Sequence, residues 1–86
     1  MSIPRFTIYT KSYCGWCDDA VNWLTEHGYA FDEVNVSNDP AAFAELRRVS
    51  GQTMCPTISA GDEVLPDFDT GQLEVFLKEH GWLVAA

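Results

Sequence analysis

The feature that most restricts the fold is a pair of cysteines placed where a predicted strand meets a predicted helix. The β-branched and aromatic residues of Arg5–Thr10 predict a strand. Apolar residues at helical spacing between Trp16 and His27 predict a helix. Cys14 and Cys17 stand between the two elements as Cys-Gly-Trp-Cys. One helical turn brings the two sulfur atoms close enough to bond, so the chain is predicted to present a dithiol at a strand-to-helix junction.

The position of this pair predicts thiol–disulfide exchange. Cys14 lies beside backbone N–H groups that have no intrahelical partner, at the positive end of the helix dipole. Both effects favour the thiolate, which is the nucleophilic form of cysteine, so we predict that Cys14 attacks disulfides. Cys17, one turn further and more buried, is predicted to be the resolving thiol. Lys11 adds favourable charge near Cys14, whereas Asp18 and Asp19 oppose a further negative charge.

The remaining chain continues the alternation of strands and helices. The order βαβαββα predicts an α/β fold with a mixed four-stranded sheet and three helices, in one domain spanning residues 1–86. Its first two strands flank a helix and are therefore expected to be parallel. The later elements are predicted as a strand over Tyr29–Val36, a helix opened by Asn38-Asp39-Pro40 and stopped by Gly51, a hairpin around Ala60-Gly61-Asp62, and a last helix after Asp69.

Residue patterns also predict details of the last two helices and of the chain end. Phe43, Leu46 and Val49 are predicted to form the apolar stripe of the second helix. Asp69, with Gln72 three residues later, predicts a capping box at the start of the third helix. The apolar tail over Trp82–Ala86 is expected to fold back onto the body of the protein.

Composition excludes several classes of partner. The chain has 86 residues, of which 47% are apolar, and carries 13 acidic against five basic residues, for a net charge of −8. Such an acidic chain repels phosphate backbones and anionic lipid, so we expect neither nucleic-acid nor membrane binding. No secretory signal is visible at the N-terminus. We therefore expect a cytoplasmic protein, and we expect it to be a monomer.

A third cysteine raises the alternative of a metal site. Cys55 immediately precedes Pro56, and three cysteines cannot all pair within one chain. Together with Cys14, Cys17 and one histidine, Cys55 completes the four ligands of a structural zinc site. We disfavour zinc because no second Cys-x-x-Cys or histidine pair is present and because the apolar content suffices for a core. Cys55 is expected to be a small packed residue.

Two segments together resemble the glutaredoxin family. Thr10-Lys11-Ser12-Tyr13-Cys14-Gly15-Trp16-Cys17 is similar to the active-site segment of that family, and Ser50-Gly51-Gln52-Thr53-Met54-Cys55-Pro56-Thr57-Ile58 is similar to its second signature. The resemblance covers nearly the whole chain. It implies a thioredoxin-like fold in which the peptide bond before Pro56 is cis, close to the cysteine pair.

The resemblance also implies glutathione as cosubstrate, with glutathionylated or disulfide-containing proteins as partners. It places Cys55 and Pro56 against the cysteine of glutathione and Lys11 against one of its carboxylates. The residues implied for the γ-glutamyl end, at the start of the last helix, are Phe68, Asp69 and Thr70. A carboxylate at a helix N-terminus is a favourable arrangement.

Further contacts and the departures from the family pattern leave alternatives open. Tyr13 matches a position beside the family's active site, and Arg47 is a substitute ligand for the glycyl carboxylate of glutathione. Pro66-Asp67 replaces the family's Gly-Gly and adds negative charge near the γ-glutamyl position. This departure leaves open the alternative that the chain is a redoxin reduced by thioredoxin reductase. Gly15 is associated in the family with a [2Fe–2S] cluster, for which Cys14 would be the protein ligand and glutathione an additional one.

Overall fold

Four strands and three helices follow one another in the predicted order in the computed structural model, which describes residues 3–84. The elements are β1 (Phe6–Thr10), α1 (Gly15–Glu26), β2 (Phe31–Asn35), α2 (Pro40–Ser50), β3 (Thr57–Ala60), β4 (Glu63–Leu65) and α3 (Thr70–Glu79). The strands form one sheet in the spatial order β2-β1-β3-β4. β1 pairs parallel with β2 and antiparallel with β3, and β3 pairs antiparallel with β4. The predicted mixed sheet and its parallel first pair are therefore confirmed.

The sheet separates two groups of buried side chains. Phe6 and Ile8 of β1 are fully buried in the larger cluster, to which α1 and α3 also contribute. Tyr9 belongs to the smaller cluster, together with Leu46 of α2. Because successive side chains of a strand point to opposite faces, α1 and α3 cover one face of the sheet and α2 covers the other. No helix within residues 3–84 has the length and hydropathy needed to cross a membrane.

The buried face of α2 differs in part from the predicted stripe. Ala42 and Leu46 are its buried residues, Val49 is half-buried, and Phe43 is exposed. Ala42 and Leu46 are one helical turn apart and therefore lie on the same face, toward the sheet. Phe43 lies one position further round the helix, where it lines a surface cavity together with Val36. The predicted stripe is thus confirmed at Leu46 and wrong at Phe43.

The start of α3 confirms the predicted capping box. The Oδ1 atom of Asp69 accepts a hydrogen bond from the N–H of Gln72 at 2.8 Å. In return, the Asp69 N–H donates to Gln72 Oε1 at 2.9 Å. The reciprocal pair satisfies two backbone donors at the helix start. Leu73, Phe76 and Leu77 are the buried residues of α3 and face the core.

The C-terminal segment folds back onto the larger cluster. The Tyr29 hydroxyl donates to the Trp82 carbonyl and accepts from the Val84 N–H, both at 2.8 Å. Trp82 and Leu83 pack against the buried residues. The predicted fold-back is confirmed for residues 82–84, while residues 85–86 lie outside the described range.

Candidate active site

The two cysteines of the Cys-Gly-Trp-Cys motif are bonded to each other at the start of α1. Cys14 is the N-cap residue of α1, and its Cα lies 5.2 Å from that of Cys17 across the disulfide. The Cys17 N–H donates to the Cys14 sulfur at 3.2 Å, so this sulfur occupies the place of an N-cap acceptor. Cys14 is half-buried, whereas Cys17 is only 1% exposed. An approaching reactant therefore meets the sulfur of Cys14 first.

The segment before β3 passes directly over this disulfide. The Cys55–Pro56 peptide bond is cis, as the family resemblance implies. The Cys55 carbonyl oxygen lies 4.0 Å from the Cys14 sulfur. Pro56 is fully buried, and its carbonyl oxygen accepts a hydrogen bond from the Phe68 N–H at 3.3 Å. The fold therefore brings the cysteine pair, the proline segment and the residues before α3 to one place.

Cys55 is a buried free thiol beside the disulfide. Its side chain is 8% exposed and belongs to the same buried cluster as Cys17, with Cys14 packed against it. Burial raises the pKa of the Cys55 thiol, the charge of Lys11 lowers it, and the charge of Asp67 raises it. The net shift of the pKa of Cys55 is upward, so its surroundings favour the neutral thiol over the thiolate. The packed, small-residue interpretation of Cys55 matches this burial.

The residues implied for the γ-glutamyl end of glutathione are largely engaged within the chain. The side chain of Phe68 is fully buried, and its N–H is bonded to Pro56. Both the N–H and one carboxylate oxygen of Asp69 are bonded to Gln72. Thr70 is the first residue of α3, a position whose N–H has no intrahelical acceptor.

The alternatives that involve metal are not supported by the donor set. Within residues 3–84, no three His, Cys, Asp or Glu side chains are arranged to hold a metal ion. Nδ1 of His27 donates to the Trp23 carbonyl, and Nε2 of His80 pairs with Glu63, so neither histidine is directed toward the cysteines. A [2Fe–2S] cluster needs a free Cys14 thiolate, and in the disulfide form that sulfur is bonded to Cys17. Formation of the disulfide therefore competes with cluster binding for Cys14.

Comparison with known proteins decides the family. A protein-family model described as Glutaredoxin matches residues 6–65, which is more than half of the chain. This chain belongs to the glutaredoxin family. A glutaredoxin-like protein NrdH from Lactococcus lactis is 34% identical over 67 residues, which are 78% of this chain and 92% of the relative. A glutaredoxin from Neisseria meningitidis is 39% identical over 57 residues, which are 65% of this chain and 67% of the relative.

A solved structure supports the same assignment. The glutaredoxin-like protein NrdH-redoxin from Escherichia coli superimposes with a TM-score of 0.69 at 28% sequence identity, covering 95% of this chain and 99% of that chain. The thioredoxin-like fold is thereby confirmed. With its Cys14–Cys17 pair, this glutaredoxin-family chain is a thiol oxidoreductase with a redox-active disulfide.

The other residues predicted for the site of this glutaredoxin-family chain lie at different distances from the disulfide. Lys11 is half-buried between β1 and α1, close enough for its charge to act on Cys55. Tyr13 precedes Cys14 with its side chain fully exposed. Arg47 is exposed on α2, and within the described residues no hydrogen bond or ion pair links it to the cysteine site. The structure thus gathers Lys11 and Tyr13 at the disulfide but supplies no contact for Arg47.

Gln52 has a role at the site that the sequence interpretation missed. Its Oε1 atom accepts from the Met54 N–H at 2.6 Å, and its Nε2 donates to the hydroxyl oxygens of Ser50 at 2.7 Å and Thr57 at 3.1 Å. The hydroxyl of the fully buried Thr57 in turn donates to the Met54 carbonyl at 2.9 Å. Gln52 therefore holds the segment that carries Cys55. The sequence did offer one indication of this role. Gln52 lies inside the second signature, at a position where a polar residue does not contribute to the buried face of a helix or strand.

Proposed function

We propose that this chain reduces protein disulfides with its Cys14–Cys17 dithiol and is itself reduced by a thioredoxin reductase. The coarser activity, thiol oxidation and reduction, follows from the family and from the disulfide. The choice of reductant rests on one observation above all. Of the groups at the start of α3 that would bind the γ-glutamyl end of glutathione, the N–H groups of Phe68 and Asp69 and one Asp69 carboxylate oxygen are already paired within the chain.

The proposed cycle begins with the reduced dithiol. The Cys14 thiolate attacks one sulfur of a substrate disulfide, that S–S bond breaks, and the departing substrate sulfur takes up a proton. A mixed disulfide now joins Cys14 to the substrate. Cys17, as thiolate, attacks the Cys14 sulfur, which closes the Cys14–Cys17 bond and releases the second substrate thiol. The substrate has then gained two electrons and two protons, which the reductase replaces.

The environment of the two cysteines supports this division of roles. Cys14 is the more exposed of the two and lies at the N-terminus of α1, where the helix dipole stabilises an anion. The Cys17 N–H donates to the Cys14 sulfur at 3.2 Å and so also stabilises a negative charge on Cys14. Cys17 is almost fully buried, so it is suited to an intramolecular step on a sulfur that is already adjacent.

The charge around the start of α3 supports thioredoxin reductase over glutathione. The carboxylate of Asp67 is exposed, and its charge acts on Cys55 at the centre of the site. A γ-glutamyl carboxylate placed there would meet this negative charge. The E. coli NrdH-redoxin, itself a glutaredoxin-like protein, has a thioredoxin-like activity profile. The cycle requires a reducing compartment, in keeping with the cytoplasmic location expected from the sequence.

Glutathione remains the second candidate reductant, with glutathionylated proteins among its substrates. It is favoured by Lys11, whose ammonium group lies at the site and can pair with a glutathione carboxylate. The similarity to the Neisseria glutaredoxin also favours it. In this version Cys55, Pro56, Asp69 and Thr70 would contact glutathione.

A paired assay separates the two reductants. The same protein disulfide is offered with thioredoxin reductase in one reaction and with glutathione plus glutathione reductase in the other, and NADPH oxidation is followed in both. We expect the thioredoxin reductase route to be the faster by at least about tenfold and to be lost in Cys14→Ser. A faster glutathione route would make glutathione the reductant. No turnover by either route would contradict the proposed function itself.

A further inference from the structure

Three large side chains with apolar surface are exposed around the disulfide, whereas Phe43 and Val75 are exposed singly on the helices. Trp16, between the two cysteines in the chain, is 53% exposed, and Tyr13 before them is fully exposed. Met54, next to the residue whose carbonyl faces Cys14, is 51% exposed. Removing the apolar surface of a large side chain from water is favourable, by roughly 25 cal/mol per Å², so leaving it exposed forgoes that stabilisation. Three of them at one reactive sulfur indicate a surface that a partner covers.

Two residues of this region have an unusual backbone conformation. Tyr13 has φ 58° and Asp67 has φ 47°, both in the left-handed region that residues with a Cβ rarely adopt. Tyr13 adjoins Cys14, and Asp67 adjoins Phe68, whose N–H is bonded to Pro56. Strained backbone of this kind is concentrated at functional sites. Both residues therefore adjoin segments that contact the disulfide site.

The same region carries negative charge. Asp18 is in the first turn of α1, with its N–H bonded to the Cys14 carbonyl, and Asp67 acts electrostatically on Cys55. Asp19 and Asp69 are exposed nearby in the chain, whereas Lys11 is the basic residue at the cysteines. A partner that covers this surface must bring positive charge to the acidic groups.

We propose that Tyr13, Trp16 and Met54, bordered by Asp18 and Asp67, form a docking surface for partner segments in which the disulfide cysteine is flanked by basic residues. We call these five residues the disulfide rim. The proposal rests on the proposed function and adds to it the class of substrate. The apolar members contact the segment next to its cysteine, and the two carboxylates pair with its lysine or arginine side chains. The rim thereby disfavours acidic disulfides, of which glutathione disulfide is one.

Matched peptides test the selectivity directly. Two disulfide-linked peptides of equal length, one with lysines and one with glutamates beside the cysteine, are mixed with the pre-reduced protein, and the single-turnover rates are measured. We expect the lysine peptide to react at least about tenfold faster at low ionic strength, which is the lower end of electrostatic steering. The ratio is expected to fall toward one in high salt, since screening removes such effects. Because both peptides meet the same Cys14, the ratio cancels any change in the reactivity of that sulfur.

Variants locate the effect. Asp18→Asn with Asp67→Asn is expected to bring the ratio close to one. The control is Glu26→Gln with Asp62→Asn, which removes the same charge from the opposite end of the sheet. Glu26 ends α1, about 18 Å along the helix from its start. Thr57, the first residue of β3, pairs with Tyr9 near the site. Asp62 lies in the turn that follows the other end of β3, away from the disulfide. The control is expected to keep the wild-type ratio.

The apolar members need a separate variant. Tyr13→Asn removes the aromatic ring and keeps a residue type that tolerates the left-handed region. It is expected to reduce the preference for a peptide with phenylalanine beside the cysteine over one with serine. Equal rates for the lysine and glutamate peptides in the wild type, or an equal loss of preference in the control, would overturn the docking proposal while leaving disulfide reduction established. Failure to reduce either peptide would instead contradict the proposed function.

Discussion

The N-termini of α1 and α3 offer the same backbone geometry but are capped by groups of different chemistry. At α1 the acceptor is the Cys14 sulfur, which receives the Cys17 N–H at 3.2 Å and can exchange its bond. At α3 the acceptor is the Asp69 carboxylate, which receives the Gln72 N–H at 2.8 Å and has no bond that it can exchange. Each helix N-terminus stabilises one negative charge. In α1 that charge is the reactive thiolate, and in α3 it is a fixed side chain.

This difference bears on which reductant the site accepts. An open helix N-terminus binds an external carboxylate through its free N–H groups. The start of α3 has used the N–H groups of Phe68 and Asp69 internally, and Asp67 adds a further carboxylate beside them. The α1 terminus therefore remains available for chemistry, while the α3 terminus contributes mainly to stability. The predictions below test this contrast, in order of expected effect.

The largest effect is expected at the α1 terminus. Cys14→Ser removes the nucleophile and should lower disulfide reduction to the rate without protein. Cys17→Ser should still attack the substrate but should stop at the mixed disulfide, because no second thiol is in place to release it. Mass spectrometry of the non-reduced mixture would detect the covalent adduct. Adducts in Cys14→Ser and none in Cys17→Ser would mean that the two roles are reversed.

The next effect is expected at Gln52, which holds the segment over the α1 terminus. Gln52→Ala removes the acceptor of the Met54 N–H and one hydrogen bond of the buried Thr57 hydroxyl, which keeps its bond to the Met54 carbonyl. An intramolecular hydrogen bond contributes about 0.5–1.5 kcal/mol net, so the free energy of unfolding should fall by about one to two such contributions. Urea titration measures the loss, and the reaction rate of Cys14 with a small disulfide should fall with it. Gln52→Glu keeps the acceptor for Met54 and should lose less; equal losses in both variants would contradict this role.

The third prediction separates stability from ligand binding at α3. Asp69→Ala removes the N-cap acceptor and should cost about 1 kcal/mol of the free energy of unfolding. Asp39→Ala is a matched control, because Asp39 caps α2 by accepting the Ala42 N–H at 3.1 Å. If the α3 terminus only stabilises the fold, both variants should keep the same glutathione-coupled rate. A selective loss of that rate in Asp69→Ala would show that Asp69 binds glutathione.

These contrasts show where sequence reasoning succeeded and where it could not reach. The strand before Cys14, the helix after it and the capping box at Asp69 depend on neighbours within a few residues, and such local patterns can be read from the chain. The cis bond at Pro56 followed from the family resemblance and not from any local preference. The position of Phe43 and the hydrogen bonds of Gln52 depend on how α2 and β3 pack. Contacts of that kind are tertiary, and residue spacing does not determine them.

The smallest effect is expected at the end of the sheet away from the disulfide. The pKa of His80 is raised, mainly by its hydrogen bond to the Phe76 carbonyl and then by the Glu63 carboxylate, which lies 2.9 Å from its Nε2. A histidine with a raised pKa in the folded state stabilises the protein fully below its unfolded pKa, and this contribution is lost as the pH rises through the folded value. His80→Gln should therefore lower the urea midpoint more at pH 5.5 than at pH 8.5. The Cys14 reaction should keep its wild-type rate, and an equal loss of stability at both pH values would show that His80 acts only by packing.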